Sequence, residues 1–116
     1  MQFDELVEKA LKFREERDWE QYHSAKNIAL SIVLEAAELL EIFQWKTDEQ
    51  AKQLTKNPEQ LEDIADELSD ILLYSLLMAN DLKIDIIEAA SKKIDKNAEK
   101  YPADKVKGKA LKYTEL

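Results

Sequence analysis

The sequence predicts an all-α protein, and three observations lead there. Among its 116 residues there is one glycine, Gly108, so residues 1 to 107 lack the turn glycines that a sheet of this size ordinarily needs. Apolar residues recur at helical spacing over several long stretches. The segments between those stretches open with helix-capping residues. The expected architecture is a helical bundle of four main helices, completed by oligomerisation.

The first helix is expected over residues 3 to 17, where Phe3, Leu6, Val7, Ala10, Leu11 and Phe13 form an i, i+3, i+4 stripe. RDWEQYHSAKN interrupts that pattern, and Ser24 is placed to cap the next helix. The second helix, IALSIVLEAAELLEIF from Ile28 to Phe43, is apolar almost all round. A monomer of this length has little room for a helix buried on every side, so a dimer interface is the simpler explanation. TDEQAKQLTKNPEQ reads as a polar connection with room for a short helical turn. Asn57 then caps a third helix from Pro58 to about Asn80, with proline at the first helical position. Its second half, ILLYSLLMA, is again apolar on most faces. Asp85 and Glu88 suit a capping box for a fourth helix ending near Lys100, which Tyr101-Pro102 stops. Residues 1–102 thus form one helical domain, and the Lys-rich tail 103–116 is expected to dock on it.

Composition narrows the chemistry. No cysteine is present, so there is no disulfide, thiolate metal site or thiol nucleophile. One histidine cannot build a paired-histidine zinc motif, and one glycine cannot build a P-loop. Any catalysis must lean on carboxylates. The net charge of −8 makes the chain a poor partner for nucleic acid or an anionic membrane. It can still bind a nucleotide if cations stand between the two sets of negative charge. No stretch reads as a leader or spanning segment, so the expected compartment is cytoplasmic.

Glu35 and Glu38 lie three apart on the second helix, and Glu67 and Asp70 three apart on the third. Each pair points to one side of its helix, and Asp63 and Tyr74 share the sector of Glu67 and Asp70. In a chain that is 36% charged, acids at this spacing commonly form a solvated face. These pairs, however, sit in the two most apolar helices, where clustered like charges require compensation. An all-oxygen site suits Mg²⁺, with Mn²⁺ as a substitute.

The pattern E-x-x-E then E-x-x-D, here Glu35-Ala36-Ala37-Glu38 and Glu67-Leu68-Ser69-Asp70, resembles the signature of the MazG-like all-α nucleoside triphosphate pyrophosphohydrolases. RDWEQYH at 17–23, EIFQWKTD at 41–48, DELSDILLY at 66–74 and KYTEL at 112–116 closely resemble the dCTP pyrophosphatase branch. The resemblance implies cleavage of dCTP or related (d)NTPs to the monophosphate and pyrophosphate, serving nucleotide-pool sanitation. It implies metal binding by Glu35, Glu38, Glu67 and Asp70, with Glu38 and Glu35 as the catalytic carboxylates. It implies a homodimer or homotetramer.

By the same resemblance, Trp19 and Trp45 line the base pocket, His23 borders it, and Lys93 and Asn97 lie near the substrate. Tyr74, on the metal-facing sector, is positioned to hydrogen-bond a sugar or phosphate. Each also has a plainer reading, as core aromatic, structural histidine or exposed helical residue. Ala10 departs from the branch, which carries a histidine nine residues before the tryptophan; strict cytosine preference is therefore in doubt. Two rival readings are a nucleotide-binding protein that does not cleave and a non-catalytic helical interaction protein.

Overall fold

The computed structural model describes residues 1–116. It contains α1 (Phe3–Glu16), α2 (Ala25–Phe43), α3 (Asp48–Leu54), α4 (Pro58–Asp81), α5 (Ile86–Lys100) and α6 (Ala103–Val106), with single 3₁₀ turns at Glu20–Tyr22 and Tyr113–Glu115 and no strand. The four expected long helices are α1, α2, α4 and α5. Two short helices, α3 and α6, bring the total to six. The chain falls into two compact units, Met1–Leu82 and Lys83–Leu116.

Local chemistry fixes the helix starts. Ser24 Oγ accepts from the Asn27 N–H at 3.1 Å, and Asn57 Oδ1 accepts from the N–H of Glu59 at 2.9 Å. Each satisfies an amide that would otherwise lack a partner in the first turn. Asp85 Oδ1 accepts from the Glu88 N–H at 3.1 Å, while the Glu88 carboxylate turns to Lys92 Nζ, also at 3.1 Å. Asp85 is therefore a cap, and the reciprocal half of the expected box is exchanged for an i, i+4 ion pair. The polar connection contains a full capping box: Thr47 Oγ1 accepts from the Gln50 N–H at 3.2 Å, and Gln50 Oε1 accepts from the Thr47 N–H at 2.9 Å. That box makes α3 a helix of seven residues.

In the first unit, α4 packs along α2 and also against α1. Ile28 of α2 and Leu76 of α4 are 1% and 2% exposed and form the centre of the core with Leu77. Phe3, Leu6, Val7, Ala10 and Leu11 of α1 close over it, as the first-helix stripe predicts. Burying one such aliphatic side chain contributes about 1.5–3 kcal/mol.

The expected burial of α2 on most faces is not met within one copy of the chain. Leu30, Val33, Leu34 and Leu40 are all more than half exposed. They form a stripe on the side of α2 opposite Ile28 and Ile32. In the second unit, Tyr101 meets Tyr113 edge-on at 6.3 Å and Lys100 Nζ lies 5.1 Å above the Tyr113 ring. No helix is long and apolar enough to cross a membrane.

Candidate active site

Glu35 follows Ile28 by two helical turns and so shares the core-facing sector of α2. Glu38 lies one turn further on, at the exposed edge of that sector. Glu67 approaches from α4. Oxygen atoms of Glu35, Glu38 and Glu67 all lie within 4.8 Å of one another. Glu35 and Glu67 are half-buried, Glu38 is exposed, and the Oε2 atoms of Glu35 and Glu67 are buried with no hydrogen-bond partner.

Crowding of like charges shows in the acidities. Burial pushes the Glu35 carboxyl up to about 7, and the close approach of Glu67 and Glu38, with the charge of Asp70, acts in the same direction. Burial also raises Glu67, supported by the charges of Glu38 and Asp70; only its contact with Glu35 pulls the other way. Both shifts have one physical cause, like charges brought together where water is partly excluded.

Two buried acceptor oxygens without donors, in an all-carboxylate set, suit a hard divalent cation. Glu35, Glu38 and Glu67 are the residues that would hold it. Asp70 stands outside this close trio. It is near enough for its charge to bear on Glu35 and Glu67, and its side chain lines a neighbouring cavity.

That cavity has a volume of about 220 Å³ and is lined mainly by Ala10, Phe13, Trp19, His23, Leu73 and Tyr74, with Asp70 and Arg14 as its charged members. Trp19 meets Phe13 edge-on at 5.8 Å, and His23 meets Tyr74 edge-on at 6.2 Å. The Nδ1 atom of His23 is buried and has no hydrogen-bond partner. Burial, and then the charge of Arg14, lowers the pKa of the imidazole, with Asp81 pulling the other way. An apolar slot with one unpaired polar atom can take a flat, polar-edged ring. Glu38 and Glu67 of the trio also line, with Glu41, Asp63 and Asp66, an open acidic groove of about 410 Å³.

Thus the structure brings Trp19, His23, Tyr74 and Asp70 to one cavity beside the carboxylate trio. Trp45 lies in the turn after α2, 86% exposed, and does not line this cavity. Lys93 and Asn97 are exposed on α5 in the second unit. Sequence reasoning missed Arg14, whose guanidinium is paired with Asp81, 67 residues away. Helical spacing cannot report a contact of that range. Ala10 and Phe13 are readable as apolar stripe residues; their second role as cavity wall is not.

Residues 30–116 match the model of the MazG-like family. The chain belongs to that family. This MazG-like chain is 41% identical over 105 residues to the dCTP pyrophosphatase 1 of Bos taurus, and 40% identical over 105 residues to that of Homo sapiens. Each match covers 90% of this chain and 62% of the relative, so the MazG-like chain spans about 62% of the length of these curated relatives. A solved structure of a pyrophosphatase from Archaeoglobus fulgidus is similar with a TM-score of 0.79 at 38% identity, covering 85% of this chain and 91% of that one. The whole of α4 and residues 30–43 of α2, which carry the motif acids, lie within the matched segment.

Proposed function

We propose that this protein is a Mg²⁺-dependent nucleotide pyrophosphohydrolase that cleaves dCTP or related (d)NTPs to the monophosphate and pyrophosphate. The observation that carries the reading is the meeting of Glu35, Glu38 and Glu67 within 4.8 Å, two of them with buried unpartnered oxygens, beside an aromatic cavity. The names of the relatives, dCTP pyrophosphatase 1, support the substrate class.

In this reading Glu35, Glu38 and Glu67 hold the metal and Asp70, outside that close trio, is assigned to complete the set, with Mn²⁺ able to replace Mg²⁺. The bound ion supplies charge neutralisation at the phosphate oxygens. Glu38, with its exposed carboxylate, is assigned to take the proton of the attacking water, with Glu35 beside it. The water oxygen bonds to the α-phosphorus, the bond from that phosphorus to the bridging oxygen breaks, and pyrophosphate leaves. Trp19 stacks on the base and His23 and Tyr74 border it; Trp45, which lies outside this cavity within one copy of the chain, is assigned to the base from its exposed turn. Lys93 and Asn97 are assigned to the phosphates, where a lysine acts as a point charge.

The exposed apolar stripe of α2 supports assembly as a homodimer, or as a homotetramer formed by two dimers. The proposed role is nucleotide-pool sanitation in the cytoplasm. Release of pyrophosphate from canonical and modified NTPs and dNTPs with Mg²⁺ tests the reading, run beside Glu38→Gln and Asp70→Asn. Turnover by the wild type, abolished in both variants at unchanged helical content, is expected. Turnover in either variant close to wild type would remove the assigned carboxylates from the chemistry.

A further inference from the structure

Arg14 is the one buried charged residue of the chain, 4% exposed. Its Nη1 donates to Asp81 Oδ2 and its Nη2 to Asp81 Oδ1, both at 2.8 Å. The pair is buried on the arginine side only, the Asp81 side chain being 26% exposed, and removing both charges of such a pair together often costs little. What this pair joins is informative. The Arg14 carbonyl accepts from the N–H of Trp19 at 3.1 Å, across a reversal in which Asp18 takes a left-handed conformation at φ 53°. Arg17 lies over the Phe13 ring at 3.7 Å and donates to the Phe13 carbonyl at 3.1 Å. Arg14 therefore sits at the root of the turn that brings Trp19 to Phe13. Asp81 is the last residue of α4, which supplies Asp70, Leu73, Tyr74 and Leu77 to the same cavity.

We infer that Arg14 and Asp81 are positioning residues that hold the aromatic wall of the cavity, Phe13 and Trp19, at a set distance and rotation from α4. The inference rests on the cavity being the nucleobase site proposed above. A bidentate guanidinium–carboxylate pair fixes both separation and orientation, which an apolar contact does not. Arg14 also lines the cavity, so the position of Trp19, which a direct contact of Arg14 with substrate would not alter, is read beside KM.

The test uses the double substitution Arg14→Met with Asp81→Leu, which removes both charges and leaves no unpaired ion. Two quantities are read: KM and kcat for pyrophosphate release from dCTP, and acrylamide quenching of Trp19 fluorescence in a Trp45→Phe background. The inference expects a melting temperature at or above that of the wild type and about a twofold rise in Trp19 quenching. KM should rise about tenfold, the size of one misplaced base stack, with kcat within about twofold. Arg14→Lys, which keeps the charge and loses the fork, should raise both quenching and KM part of the way. It also serves if the double variant does not fold. Wild-type quenching and KM in a stable double variant, or in Arg14→Lys, would show the pair to be a structural staple and overturn the inference. If the wild type cleaves no nucleotide, the functional reading fails, and Trp19 quenching still decides whether the pair positions that wall.

Discussion

Trp45 and Glu35 make opposite demands on a reader of the sequence. Trp45, 86% exposed in the turn after α2, has almost nothing to lose in packing. Trp45→Ala should therefore leave the melting temperature near wild type and weaken nucleotide binding by about 1–3 kcal/mol, the scale of one base stack. Unchanged KM and turnover in Trp45→Ala would remove this residue from the base pocket. Glu35, in contrast, is governed by its neighbours, with its carboxyl at about 7 against an ordinary 4.5. Its folded-state pKa is raised, so the metal-free protein binds that proton more tightly than the unfolded chain does. The corresponding stability is present at low pH and is lost as pH rises from about 4.5 toward about 7. A cation must displace the proton, so apparent Mg²⁺ affinity should climb by up to about tenfold per pH unit below about 7 and level off above it. Calorimetric titration across that range checks the slope; an affinity flat from about pH 5 to about pH 8 would mean that Glu35 is not a ligand. The candidate ligands were legible because spacing of three on an apolar helix is a local signal. The Arg14–Asp81 pair was not, because it depends on how α1 meets α4; of the cavity beside it, Trp19 and His23 were named through resemblance and Tyr74 through its helical sector, while Ala10 and Phe13 were read only as stripe residues.

The helix starts at Ser24, Asn57 and Asp85 could be read directly, since a cap is a local hydrogen bond between a side chain and an amide two or three residues on. α3 was legible only as a possible turn: DEQAKQL carries no apolar period, and its boundary depends on the reciprocal Thr47–Gln50 bonds. α6, four residues long, leaves no periodic trace at all. The apolar run of α2 raised an expectation of burial that one copy of the chain does not meet, and the shortfall lies on one stripe, Leu30, Val33, Leu34 and Leu40. If that stripe is an interface, Val33→Glu with Leu34→Glu should shift the protein to a smaller species in sedimentation while preserving helical content. The same sedimentation coefficient for variant and wild type at matched concentration would mean that the stripe covers no partner.

Across the molecule, the proposed function needs a cation to offset the acidity of the chain. A net charge of −8 disfavours binding a triphosphate, and the carboxylate trio concentrates that penalty at one point. Membership of the MazG-like family gives this arrangement a chemical context, since the matched segment contains all four candidate ligands. A cation that binds only the folded form stabilises it by mass action, about 2.7 kcal/mol at a hundred times its Kd. For a chain of this size that corresponds to a rise on the order of 10 °C in melting temperature. Thermal melts of wild type and Glu38→Gln, each in Mg²⁺ and in NaCl of matched ionic strength, test the central claim most directly. The wild type should gain far more from Mg²⁺ than from NaCl, and Glu38→Gln should lose most of that difference while melting no lower than wild type without metal. Equal gains from the two salts in both proteins would contradict the account, leaving the carboxylates an ordinary solvated acidic face.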